Sequence, residues 1–278
     1  MNNPLVTVAM VTYNSSQTIN EAIDSVLAST YTNFELLICD DHSTDNTLNI
    51  IQQYNDNRIV AFRHELNLGE YNNRNFCLKH AKGKYIIYID GDDLIKPNGL
   101  EVFVKQMESH TDCGIAISRP YSELKAFTPV EVFRRHYLSN DTMLNLALVR
   151  VLFNREKFLS LGGFSNQYRS GDDYARMLMA ANCSVLIIED GLVWWRQSKN
   201  SASDKLFNSY RGIYEPLAIK YSFLNSTNLL NNPEKSIAKK RLNKAYCRIV
   251  KMLIKKGKVT WLLQLLLNYR RIKQLGKS

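Results

Sequence analysis

Apolar residues come first in short unbroken runs, then increasingly at helical spacing. Val6-Thr7-Val8-Ala9-Met10-Val11 is rich in β-branched residues and ends at Thr12-Tyr13-Asn14, which predicts a buried strand opening into a loop. Ile19, Ala22, Ile23, Val26 and Leu27 then recur at the spacing of one helix face. A second strand, Phe34 to Cys39, runs into Asp40-Asp41, and Ser43, Thr44 and Asp45 offer N-caps for a helix through Leu48 and Ile51. A short third strand (Ile59 to Phe62) precedes a loop at Asn67-Leu68-Gly69 and a helix through Phe76 and Leu78. The fourth strand, Tyr85 to Ile89, delivers Asp90-Gly91-Asp92-Asp93. Alternation of this kind predicts an α/β fold with a mainly parallel, Rossmann-like central sheet flanked by helices. In such sheets ligands bind beyond the carboxyl ends of the strands, where these polar clusters fall.

Beyond the helix through Leu100, Phe103, Val104 and Met107 the pattern loosens, and residues 119–150 give mixed signals. It recovers at Val151-Leu152-Phe153, Leu161-Gly162-Gly163-Phe164 and Gly171-Asp172-Asp173, which opens a helix through Met177 and Leu178. A strand at Val185 to Ile188 is followed by Trp194-Trp195-Arg196. From about Ser203 onward the chain reads as helix.

Composition adds limits to this picture. With 278 residues, 45% hydrophobic and 22% charged, the chain can bury a full core. Five separated cysteines without a CxxC pair read as free thiols in a reducing compartment. A start at Met1-Asn2-Asn3-Pro4 without a basic and apolar leader argues against a secretory signal, and no apolar run reaches membrane-spanning length. A cytoplasmic protein is expected. The net charge of +10 is unevenly placed: residues 235–278 hold ten Lys and four Arg and no acid. Removing those 14 from the 36 basic residues leaves 22 against 26 acidic, so the rest of the chain is near −4. Two readings stand for this segment. Its apolar positions suit a basic amphipathic helix on an anionic membrane surface, at the inner face of the cell membrane, or equally a helix packed on the rest of the chain with a solvated basic face. No nucleic-acid partner is expected, since no recognised motif or aromatic stacking platform accompanies the charge.

The most informative cluster is Asp90-Gly91-Asp92-Asp93. Alternate residues on a strand share a face, and glycine lets the chain turn closely around a ligand. Two hard carboxylates suit Mg²⁺ or Mn²⁺ completed by substrate phosphates, although Asp and Gly also cap strands without any such role. Asp41 reads either as an acceptor for a base or ribose or as part of a capping turn. A dinucleotide-dependent oxidoreductase is disfavoured, because the first strand leads to Thr12-Tyr13-Asn14-Ser15 and not to a Gly-rich phosphate turn.

Together, Val6–Asn14, Asp40–Asp45, Asn67-Leu68-Gly69, Arg74-Asn75, Gly83-Lys84-Tyr85, Asp90–Asp93, Leu161–Phe164 and Gly171-Asp172-Asp173 resemble the family 2 glycosyltransferases of GT-A fold over about residues 5–200. The resemblance implies a catalytic domain over 1–203, with a nucleotide-sugar-binding half (1–117) and an acceptor-binding half (118–203), then a helical basic region over 204–278. It implies a donor site of Thr12, Tyr13, Asn14, Asp41, Arg74, Asp90, Gly91 and Asp92. Tyr13 and Asp41 would hold the base, and Asp92 with Asp90 would hold the metal. Arg74 reads as a basic residue near the donor or as an exposed helix cation. Asp173 is the expected catalytic base, taking the acceptor's proton, with Asp172 and Trp195 on the acceptor side. An acidic first helical turn would account for one of the two aspartates through the helix dipole.

The resemblance further implies an inverting transferase with a UDP-sugar donor. Its acceptor would be a lipid-diphosphate-linked glycan, as in bacterial O-antigen or capsule assembly. The rival is a catalytically silent scaffold or sensor that binds nucleotide sugars. One departure stands out: after the last core strand the family often has Arg-x-His, and here Arg196-Gln197-Ser198 puts Ser198 in the histidine's place. None of the five histidines falls in a metal pair, so each reads as a surface or satisfied polar residue.

Overall fold

The computed structural model describes residues 3–120, 124–141, 143–196 and 202–276. Its strands are β1 (Val6–Thr12), β2 (Phe34–Asp40), β3 (Ile59–Arg63), β4 (Tyr85–Tyr88), β5 (Leu94–Ile95), β6 (Cys113–Ser118), β7 (Lys125–Phe127), β8 (Val151–Asn154), β9 (Ser184–Ile188) and β10 (Val193–Trp194). Its helices are α1 (Ile19–Leu27), α2 (Thr47–Ile51), α3 (Glu70–His80), α4 (Gly99–Ser109), α5 (Pro129–Leu138), α6 (Arg155–Ser160), α7 (Gly171–Asn182), α8 (Ala202–Phe207), α9 (Tyr210–Ser226), α10 (Asn232–Lys255) and α11 (Val259–Gln274).

Among the described residues an eight-stranded sheet has the order β3-β2-β1-β4-β8-β6-β9-β7. The first four strands are mutually parallel, as the alternation of elements requires. The unbroken apolar run of β1 is explained by its place between β2 and β4, where every residue is buried. The edge strand β3 is largely half-buried or exposed. Ile19, Ala22, Ile23 and Val26 of α1 share one core cluster with Val6, Val8 and Met10 of β1 and with Leu100, Phe103, Val104 and Met107 of α4. On the opposite face of β2, Cys39 meets Cys77 of α3.

The sheet departs from a purely parallel plan at two strands. β8 runs antiparallel to both β4 and β6, and β7 runs antiparallel to β9. All five cysteines are free, with Cys39, Cys77 and Cys113 buried.

The chain divides into two compact units. The first comprises the described residues of 1–127 with 146–166 and 183–196, and so holds the whole sheet. The second comprises 128–145 and 167–182 with the described residues of 197–278. It is helical: α5 packs on α7 and α10, while α9, α10 and α11 pack on one another. Tyr246 of α10 and Tyr269 of α11 stack with ring centroids 3.7 Å apart. The hydroxyls of Tyr221 (α9) and Tyr269 both donate to Asn243 Oδ1, at 2.5 and 3.0 Å. No helix among the described residues is long and apolar enough to cross a membrane.

Candidate active site

The polar clusters predicted at strand ends converge in the first unit. β1 and β4 lie side by side, so the residues after them meet: the Gly91 amide donates to Val11 O at 3.2 Å and the Thr18 hydroxyl to Gly91 O at 2.7 Å. A Cβ on Gly91 would lie 2.8 Å from Thr12 Oγ1 and 3.1 Å from Ile19 Cδ1, so the close turn around this residue requires glycine. The Thr12 hydroxyl oxygen is itself buried with no hydrogen-bond partner among the described residues.

Beside it the carboxylates take unequal environments. Arg74, buried at 3% exposure, grips Asp90 with two bonds of 2.8 and 2.7 Å and Glu70 with one of 3.0 Å. The exposed-cation alternative for Arg74 therefore does not hold. Bidentate pairing of this kind fixes the carboxylate's plane. Burial, reinforced by the Asp90 charge, raises the Asp92 carboxyl to about 6. Asp93 is more deeply buried, and burial with the charges of Asp90 and Asp92 raises it to about 8.

The small antiparallel pair of β10 with β5 brings Arg196 to this turn. Its backbone N–H donates to Asp93 Oδ1 at 3.0 Å and its Nε to Asp92 O at 3.0 Å, while its Nη2 pairs with Glu21. Sequence reasoning gave Arg196 no such role, and nothing in the spacing of residues 103 apart signals one. Ser198 lies outside the described residues.

The carboxylate pair suits a hard divalent cation that takes further oxygens from phosphate and water. A cation would also offset the burial and the Asp90 repulsion that together lift Asp92. Among the described residues no three His, Cys, Asp or Glu side chains form a ready-made cage.

At the end of β2 none of Ser43, Thr44 and Asp45 serves as the expected N-cap of α2. Asp40 accepts from the amide and hydroxyl of Ser43. Asp41 accepts from the amides of Leu68 and Gly69 at 2.7 and 3.0 Å, and thereby fastens the Asn67-Leu68-Gly69 loop. A carboxylate has lone pairs left for a further donor. Asn14, at φ 52°, holds the Thr44 amide at 2.8 Å and takes Ser43 Oγ on its own amide at 2.9 Å. Asp45 does not cap α2, whose N-cap is Asn46; it binds the amides of Thr47 and Ser16 at 3.0 and 3.1 Å. Tyr13 stands 51% exposed beside this network.

In the second unit Asp172 and Asp173 occupy the first turn of α7. Asp173 Oδ1 accepts from Arg176 Nη2 at 2.5 Å; Arg176 is buried and donates its Nε to Leu144 O at 2.8 Å. Arg176 is a second residue missed from sequence, though an Asp–Arg spacing of three on a helix is a readable signal. Of the two tryptophans in the first unit, Trp195 packs partly into the core and Trp194 is 68% exposed. His136 departs from the expected satisfied histidine: both ring nitrogens are buried with no partner among the described residues. Burial, with Lys220 nearby, lowers its pKa to about 3.

These features can be set beside known proteins. A search of solved structures finds S. aureus TarS 1–349 in complex with UDP-GlcNAc (TM-score 0.77, 19% identity, covering 96% of this chain and 81% of that one). It also finds the mannosyltransferase PcManGT of Pyrobaculum calidifontis in complex with GDP-Man and Mn²⁺ (TM-score 0.67, 17% identity, covering 100% and 88%). These likenesses establish the GT-A fold. Among curated proteins, 107 residues are 41% identical to E. coli WfgD, a UDP-Glc:α-D-GlcNAc-diphosphoundecaprenol β-1,3-glucosyltransferase, covering 38% of this chain and 42% of WfgD. A further 134-residue match, 37% identical, is to the putative teichuronic acid biosynthesis glycosyltransferase TuaG of Bacillus subtilis (47% and 52%). The chain thus spans about half or less of the length of these curated relatives. The model of the Glycosyl transferase family 2 matches residues 7–162, more than half of the chain, and the chain belongs to that family.

Proposed function

We propose that the chain is an inverting glycosyltransferase that moves a sugar from a UDP-linked donor to a hydroxyl of a lipid-diphosphate-linked glycan in bacterial surface polysaccharide synthesis. The observation that carries this reading is the turn after β4, where Gly91 is wedged under Thr12 and presents Asp92 between Asp90 and the Arg196 anchor. Support for the donor and acceptor classes comes from WfgD and from a second E. coli enzyme of the same printed activity, WfaP, 43% identical over 89 residues. The nucleotide sugars held by TarS and PcManGT support the donor side.

In the mechanism proposed, Asp92 and Asp90 hold Mn²⁺ or Mg²⁺, whose chemistry is to neutralise a diphosphate leaving group. Arg74 contributes by fixing Asp90, and Tyr13, Asn14 and Asp41 accommodate the base and ribose. Asp173 takes the proton of the acceptor hydroxyl as its oxygen bonds to the anomeric carbon. The bond from that carbon to the diphosphate breaks, and the nucleoside diphosphate departs with the electron pair. Arg176 holds the Asp173 carboxylate in one orientation.

Asp173→Asn should abolish transfer while nucleotide binding, read by calorimetry, is kept. Turnover near that of the parent protein would defeat the assignment. Because Arg176 is buried, Asp173→Ala should also lose about 1–3 kcal/mol of stability, whereas Asn retains an acceptor; thermal melts of both separate folding from chemistry. Binding of UDP-sugars with no transfer to any lipid-linked acceptor would favour the silent sensor. Undiminished activity in EDTA would remove the cation from Asp92.

A further inference from the structure

The C-terminal helix α11 has two apolar faces, and only one of them is used for packing. Leu265 and Ile272 are fully buried, and Tyr269 stacks on Tyr246 of α10. Those positions account for the helix's place in its unit. Val259, Leu263, Leu266 and Leu267 fall at i, i+4, i+7 and i+8, which aligns them on one face. That face points away from the unit, and its Leu267 is 81% exposed. Ile254, in the last turn of α10, is likewise exposed beside the connecting turn.

A solvated helix gains nothing from such a stripe, and contiguous exposed apolar residues mark interaction surfaces. Its surroundings identify what it fits. Lys255, Lys256 and Lys258 stand exposed at the N-terminal end of the stripe, and Arg270 and Arg271 at the other. Lys258 Nζ lies over the half-buried Trp261 ring at 4.7 Å. No acidic residue occurs between 235 and 278. A second copy of this face would bring like charges together, and a nucleic acid would have no use for bare aliphatic side chains. Aliphatic residues ringed by cations, with a tryptophan at the boundary, match the two layers of an anionic bilayer, acyl chains below and headgroups above.

We propose that the outward face of α11, with the α10–α11 turn, docks on an anionic lipid bilayer by inserting Val259, Leu263, Leu266 and Leu267 beneath a collar of lysine and arginine. This inference does not depend on the transferase reading, since the binding assay involves no sugar.

The test is co-sedimentation of the full chain with phosphatidylcholine vesicles, with and without phosphatidylglycerol. Binding is expected to the anionic vesicles, weakening as salt rises. Leu263→Asp with Leu267→Asp should keep the melting temperature and circular dichroism of the parent and lose about tenfold or more in partitioning. Lys255→Glu with Lys256→Glu should bind less and flatten the salt dependence. No partitioning into anionic vesicles overturns the proposal. So does partitioning unchanged by the double Leu→Asp variant, which would reduce the contact to charge alone. A dimer by light scattering that dissociates in that variant would instead assign the face to self-association, also overturning it. Should the double variant fail to fold, Leu267→Gln alone, at the most exposed position, is read against the same outcomes.

Discussion

A single methyl group on residue 91 has more consequence than its size suggests. Placed 2.8 Å from the short, buried Thr12 side chain, it has no flexible tip to displace. Gly91→Ala should therefore cost about 1–3 kcal/mol, as overpacking does, and should lower nucleotide-sugar affinity by tilting Asp92. Adding Thr12→Ala removes the obstructing oxygen, so the double variant should regain part of that affinity; strictly additive losses by calorimetry would contradict the geometry. His136 offers a second residue-scale test. The folded state holds its ring neutral down to about pH 3, whereas an unfolded histidine takes up a proton near 6.5. Its contribution is thus intact above about pH 6.5 and is lost as pH falls from there towards 3. His136→Phe should resist acid unfolding in that window, as followed by circular dichroism. At the same scale the close turn at Gly91 after the fourth strand was legible, because strand-end position and glycine chemistry are local. The sequence said nothing of the bonds from Arg74 to Asp90 or from Arg196 to Asp93, which join distant positions once the strands have aligned.

Among the elements, β1, β2 and β4 were legible because central parallel strands are apolar on both faces and read as unbroken runs. The antiparallel placement of β8 and β7 was not, since side-chain alternation is the same in either direction. In the uncertain stretch 119–150, β7 is three residues long and α5 buries only Val132, Phe133 and Tyr137, too few apolar positions for periodicity to speak clearly. Yet α5 carries a readable start signal: the Thr128 hydroxyl accepts from the Glu131 amide while the Glu131 carboxylate accepts from Thr128, with Pro129 between. Thr128→Ala should cost about 1 kcal/mol of stability through this cap, measured by urea unfolding.

For the whole molecule, charge and ligand linkage matter most. Deleting 235–278 would remove the basic excess, and would also strip the buried Tyr221 of α9 of its hydrogen-bond partner Asn243. Point substitutions are therefore the cleaner probe of the C-terminal helices. A donor that binds only the folded chain raises its apparent stability by about 2.7 kcal/mol at a hundredfold excess over Kd. In a thermal-shift panel, a UDP-sugar with Mn²⁺ should raise the melting temperature above GDP- and dTDP-sugars. The shift should vanish in Asp92→Asn. Equal shifts across nucleotides would contradict the UDP assignment.

The two-sided character of α11 also sets what selection can tolerate along sixteen residues. Leu265 and Ile272 answer to folding, so polar replacements there should fail in the purified protein and in the living cell alike. Leu263, Leu266 and Leu267 answer only to what lies outside the molecule. Polar replacements at these three should pass every test in dilute buffer and still be depleted from a growing population that depends on the protein. A mutational scan scored once for abundance and once for growth would show two interleaved registers of intolerance in one helix, offset by half a turn.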